Sequence, residues 1–158
     1  MSNILSVYTA IAAQDITITP YGTTSAVTPK AYKLHEIPAS VEDGMLPCRL
    51  LLMDDRYLEA GQLQWATLAG SLTMVWQVVD LLLWEPTGGG LVLYGPRHYD
   101  MLNYAGLYAD ALIALRQPTR KMQLEGARVE PGVYEYPQGS GRLYYGALAV
   151  LNYKEILP

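Results

Sequence analysis

Phenylalanine is absent, cysteine occurs once and histidine twice. With Cys48 as the only thiol, no internal disulfide can form. Its neighbours Leu46, Pro47, Leu50, Leu51 and Leu52 mark it as a small buried hydrophobe. An activated nucleophile would need a partner base, and His35 and His98 lie far from it in sequence. Zinc needs three or four convergent ligands, and no spacing here suggests them. Charged residues make up only 16% of the chain, below the ~25% of ordinary globular domains, which leaves more surface free for protein contact. The net charge of −4 and the lack of a Lys/Arg cluster argue against phosphate-driven nucleic-acid binding. The nearest cluster, Arg116, Arg120 and Lys121, falls where a helix should end and complements its dipole. Long apolar runs are missing too. Leu50 to Met53 and Leu81 to Trp84 are far short of the ~20 residues that span a bilayer. No basic stretch precedes the first apolar residues, so no signal peptide is expected. The expectation is a soluble protein of a reducing compartment.

What the chain has is apolar mass and tyrosine. Hydrophobic residues make up 51%, enough for one core, and dividing 158 residues would leave two marginal ones. A single domain, 1–158, is expected. The 13 Tyr and 3 Trp take the place of Phe. Tyr keeps a polar tip, so it suits half-buried surfaces and interfaces.

Periodicity predicts a helix over Ser2 to Gln14, with Ile4, Tyr8, Ile11 and Ala12 at helical spacing. Asp15 to Thr19 alternates like a short strand. Pro20 to Ser25 is loop, and Val27 to His35 is weakly patterned. Ile37 to Pro47 reads as an extended connector, because its prolines block a helix. Arg49 to Met53 reads as a strand, Asp54-Asp55-Arg56 as a turn, and Gly61 to Ala69 as a strand. Leu72 to Glu85 is apolar on both faces except at Gln77 and Asp80, which predicts a central strand. A buried Asp80 needs a partner, and Arg49, Arg128 and Arg142 are candidates. Pro96 to Leu115 is the best helix, with Met101, Tyr104, Ala105, Tyr108, Ala111, Leu112 and Leu115 on one stripe. Lys121 to Val129 and Leu143 to Tyr153 complete the sheet. The fold class is α+β, a mostly antiparallel β-sheet with two α-helices packed on one face.

Motifs of chemistry are wanting. Gly88-Gly89-Gly90 lacks the Gly-Lys-Ser/Thr ending of a phosphate loop. His35-Glu36 and His98-Tyr99-Asp100 are the only starts of an acid/base or metal site. Asp54 and Asp55 suit a turn better than a carboxylate pair. No Gly-x-Ser-x-Gly element and no repeat is present. The most telling stretch is Val133 to Glu155, where a Tyr-rich strand enters the Pro137–Gly141 turn and a longer strand returns. Sheet, turns and tyrosines are the materials of an assembling part.

The order of elements carries a resemblance. An N-terminal helix leads through Glu36-Ile37-Pro38-Ala39-Ser40-Val41 into Leu46-Pro47-Cys48-Arg49-Leu50-Leu51. The long strand Trp76 to Leu83 follows, then a helix with Tyr104, Tyr108 and Ala111, then a hairpin closing on Tyr145-Gly146-Ala147. Over most of its length this resembles the tail-terminator or tail-completion proteins of long-tailed bacteriophages. The resemblance implies a homo-oligomeric ring, commonly hexameric, that caps the tail tube and joins it to the head–tail connector or neck protein. It implies a virion structural protein, assembled in the host cytoplasm, with no membrane partner, catalytic residue, metal or cofactor. DNA would pass through the bore without specific binding, which suits an acidic chain. Subunit or partner contacts would fall on the aromatic-flanked hairpins: Trp84, Gly88, Gly89, Gly90 and Tyr94 at one, Tyr134, Tyr136 and Tyr144 at the other. Two alternatives stand beside it. One is another head–tail connector, neck or minor tail protein. The other is a small-molecule-binding domain or enzyme with an aromatic cleft.

Overall fold

The chain begins on a helix and ends on a long hairpin in the computed structural model, which describes residues 3–52, 65–68, 71–88 and 95–157. Helix α1 spans Asn3–Ala12 and buries Val7, Tyr8 and Ile11, one stripe at helical spacing. Strand β1 is Lys30–Tyr32 and β2 is Cys48–Leu52, with two single 3₁₀ turns between them at Leu34–Glu36 and Asp43–Met45. Strand β3 is Trp65–Leu68 and β4 is Ser71–Pro86. Helix α2 spans Pro96–Ala111, and β5 (Met122–Glu135) and β6 (Leu143–Leu157) follow it. The sheet runs β1-β2-β4-β6-β5, with β3 also on β4. Only the β1–β2 pair is parallel. The fold is α+β.

β4 lies at the middle of the strand order because both its sides are taken. β6 pairs with it from Leu72 to Pro86. On the other flank, β3 takes Ser71 to Met74 and β2 takes Val79 to Leu83. Both faces are covered as well, which is why the strand reads apolar throughout. Val78, Leu82 and Trp84 join Met101, Tyr104, Tyr108 and α1 in one cluster. Val79, Leu81 and Leu83 join Val41, Leu50, Tyr136, Tyr144 and Leu148 in another. Both helices therefore pack on one face, and the connector between β1 and β2 covers the other.

Four local expectations differ from the structure. Asp15 to Thr19 forms no strand, only an isolated bridge between Ile18 and Val27. The alternation was still meaningful, because Ile16 and Ile18 are buried while Thr17 and Thr19 are exposed. Helix α2 ends at Ala111, and tighter bonds from Ala114 N to Ala111 O and Leu115 N to Leu112 O carry the chain on to Leu115. The stripe's Ala105, Ala111 and Leu112 are only half-buried. β5 runs on through Pro131 to Glu135, which an edge strand permits since its outer N–H groups need no ladder partner. The turn placed at Asp54-Asp55-Arg56 lies outside the described residues, as do residues 61–64 and 69 of the strand expected over Gly61 to Ala69. Among the described residues no helix is long and apolar enough to cross a membrane.

The register shifts between Leu83 and Glu85, so Trp84 is an extra residue against β6. Opposite this bulge the backbones crowd. A Cβ built on Gly146 would lie 2.0 Å from the Leu82 carbonyl oxygen. Gly146→Ala is expected to destabilise the domain by ~3 kcal/mol or more, since backbone rather than a movable side chain must give way. Gly106→Ala meets nothing within 4 Å in α2 and is expected to stabilise by ~0.5–1 kcal/mol. Urea midpoints of the two variants check this; equal midpoints would contradict the crowded bulge.

Candidate functional site

Arg49 and Asp80 are 1% and 2% exposed, on adjacent strands with β2's Leu51 directly opposite Asp80. Arg49 Nη2 donates to Asp80 Oδ2 at 2.5 Å and Nε reaches the same oxygen at 3.2 Å. The Tyr108 hydroxyl donates to that oxygen at 2.7 Å. The guanidinium also donates to the carbonyls of Ile11 (3.0 Å) and Gln14 (2.6 Å) at and just past the end of α1, where carbonyls run short of helical partners. Burial works against the charge on Arg49, but Asp80 and the hydrogen bonds outweigh it and hold the guanidinium protonated. Of the three arginines offered as partners for Asp80, the fold selects Arg49. Its hydrogen bonds close on the group itself, and it lines none of the clefts formed by the described residues, so it binds elements together.

Two other buried carboxylates are likewise engaged. Asp100 accepts the Tyr21 N–H at 2.8 Å and Arg97 Nη1 at 2.9 Å, and Arg97 Nε donates to Glu85 at 2.5 Å. Glu155 accepts Asn3 Nδ2 at 2.6 Å and Trp76 Nε1 at 2.8 Å. Gln77, the other polar residue of β4, donates to Asn152 at 3.2 Å.

The surface features gather at one end of the sheet. There the Thr87 N–H donates to the Leu143 carbonyl at 3.0 Å, joining the end of β4 to the start of β6. A cleft of about 580 Å³ opens beside them, lined by Glu42 and Asp43 of the connector, Thr87 and Gly88 after β4, and Arg142 and Tyr144. A second cleft of about 290 Å³ shares Pro86 and Thr87 and adds Arg97 and His98. Thr87 and Gly88 of the first hairpin loop and Gly141 and Arg142 of the second thus line one cleft.

Their aromatics are placed otherwise. Trp84 is buried in the helix-side cluster, because it continues the alternation of Val78 and Leu82 onto that face of β4. Tyr136 and Tyr144 are buried under the connector and donate to the carbonyls of Pro38 and Val41. These three pack into the chain's own connector and core rather than standing free beside the hairpin loops. Tyr134 is half-buried and lies over Gly132 and Gly146, its hydroxyl on the Glu130 carbonyl. Gly88 is exposed, with φ of 67° and open space where a Cβ would stand. Gly89, Gly90 and Tyr94 lie outside the described residues.

The aromatics that do reach solvent are others. Tyr21, Tyr99 and Leu102 are 61%, 59% and 60% exposed. The two rings meet edge to face at 5.7 Å. Asp100 holds the pair in place, since it sits beside Tyr99 and binds the Tyr21 backbone. The available signal was that Tyr99 and Leu102 lie off the buried stripe of α2.

Burial pushes the Cys48 thiol up to about 12, and it pushes the phenols of Tyr8, Tyr104, Tyr108 and Tyr153 above their ordinary 10.0. Among the described residues no three His, Cys, Asp or Glu side chains group to hold a metal. His35 is exposed beside Glu36 at 3.7 Å, and His98 lines the smaller cleft.

Each of these five groups has a folded pKa raised above its unfolded value. Their contribution to stability is complete below the ordinary thiol and phenol values and is lost as pH rises past them. Urea stability is expected to be flat from neutral pH to about 8 and to fall steadily above pH 9. Native protein at pH 8 should leave Cys48 unmodified by a thiol reagent, and denatured protein should react with one equivalent. Rapid native labelling would contradict the burial. No protein-family model matches this chain, and no curated protein is significantly similar to it.

Proposed function

We propose that this chain is a non-catalytic virion part of the tail-terminator or tail-completion kind. Copies stand side by side in a ring, commonly of six, which caps the tail tube and meets the connector or neck protein. DNA passes through the bore without specific binding, and the charge of −4 limits adhesion to phosphates.

One observation carries the reading. The outermost strands of the sheet, β1 and β5, are unlike one another, and no strand among the described residues pairs with the outer side of either. Two different edges on one body make heterologous, head-to-tail contacts, which close into rings. The exposed Tyr21–Tyr99–Leu102 patch and the loop-lined clefts supply a further surface for docking at one end of the sheet. The buried charges are consumed by internal hydrogen bonds, which favours assembly over catalysis.

A second reading draws on the 580 Å³ cleft, whose size falls among small-molecule sites. It predicts a monomer that a ligand stabilises.

Solution mass across a concentration series, with negative-stain images of the same samples, separates the two. Uniform annular particles with a hole wide enough for duplex DNA are expected. Monomer throughout, with no annuli at any concentration, would overturn the ring.

A further inference from the structure

We propose that in the ring the β5 edge of one copy adds as a strand to the free edge of β1 in the next, continuing the sheet from subunit to subunit. This rests on the ring reading and names its contact.

The receiving edge has room beside it. A groove of about 400 Å³ runs between the C-terminal end of α1 and β1, lined by Thr9, Ala12, Asp15, Lys30, Ala31 and Lys33. A strand laid there would find the outer backbone groups of β1 on one side and a helix on the other, the usual setting of strand addition. The Lys33 N–H is already given to Glu36 at 3.1 Å, so pairing is confined to Lys30–Tyr32.

The donating edge is limited to a matching window. At one end of β5 the Leu124 N–H is given to the Arg116 carbonyl, and the register shifts between Leu124 and Gly126. At the other end stands Pro131, which has no N–H to give. Bulges and edge prolines are how natural sheets refuse unwanted strands. Here they leave Gly126 to Val129 open, a short stretch for a short partner.

Charge selects the pairing. The groove carries Lys30 and Lys33 against the single carboxylate of Asp15. β5 carries Glu125, Glu130 and Glu135 against the single cation of Arg128. Glu125 and Glu130 are 46% and 52% exposed, and their carboxylates pair with Lys154 and Arg128 at 3.3 and 3.7 Å. β1 against β1 or β5 against β5 would oppose like charges, whereas β5 against β1 opposes unlike ones. The contact is therefore directional, as a ring requires.

Three exposed-surface variants of the full chain test this by solution mass over a concentration series. Lys30→Glu with Lys33→Glu, and separately Glu125→Lys with Glu130→Lys, are each expected to raise the association midpoint about tenfold or more. The chain carrying all four substitutions should regain it, because the charges are again opposed. Circular dichroism melts confirm that each variant folds. Rings that persist unchanged in both pairwise variants would overturn this contact and leave the ring reading standing. Loss in both without recovery in the fourfold variant would also overturn it. Absence of rings in the unmodified protein would overturn the ring reading together with the contact.

Discussion

Everything in this fold hangs on one buried ion pair. Arg49 and Asp80 lie on neighbouring strands under both helices, and a lone charge there would cost several kcal/mol. Three further groups share the burden. Arg49 ties the last carbonyls of α1 to the sheet, and Asp80 ties Tyr108 of α2 to the same point. Two strands and two helices that are distant in sequence thus converge on a single guanidinium. Apolar packing alone would let either helix slide along the sheet. Directional bonds at fixed carbonyls hold one arrangement.

That constraint shapes what the surface can do. With the helices locked on one face and the connector held against the other by Tyr136 and Tyr144, the rims of the sheet are, among the described residues, left without a strand partner. Those rims are the outer side of β5, the outer side of β1 and the loop end around Thr87. The other buried acids serve the same purpose. Glu155 pins the start of α1, and Asp100 pins the Tyr21 turn to α2. The outcome is a stiff body with definite edges, which suits a part that must repeat around an axis with small angular error.

Much of this was legible in residues. The all-apolar run of β4 told of a strand covered on both faces, and the lone Asp80 on it demanded a cation. The stripe Met101, Tyr104, Tyr108 told which side of α2 faces inward. Other features depend on long-range geometry that one sequence does not display. Trp84 reads as a strand-end aromatic beside a loop, and what buries it is the helix layer packed over its face of β4. Tyr136 and Tyr144 read as hairpin anchors because their partners, the carbonyls of Pro38 and Val41, are about a hundred residues away. Asp15 to Thr19 had the right alternation, but a bridge at Ile18 alone is too little for a strand. The edge groove on β1 left no trace in sequence, since it is made by α1 standing beside it.

The most direct measurement is a double-mutant cycle on Arg49→Met and Asp80→Asn, followed by urea unfolding. Either single change strands a buried group and should cost ~3–5 kcal/mol. The double variant, which removes both charges, should cost less than the sum, with a coupling of ~1–3 kcal/mol. If both single variants keep the stability of the unmodified chain, the ion pair does not hold the helices to the sheet, and the account of a fixed scaffold with working edges fails.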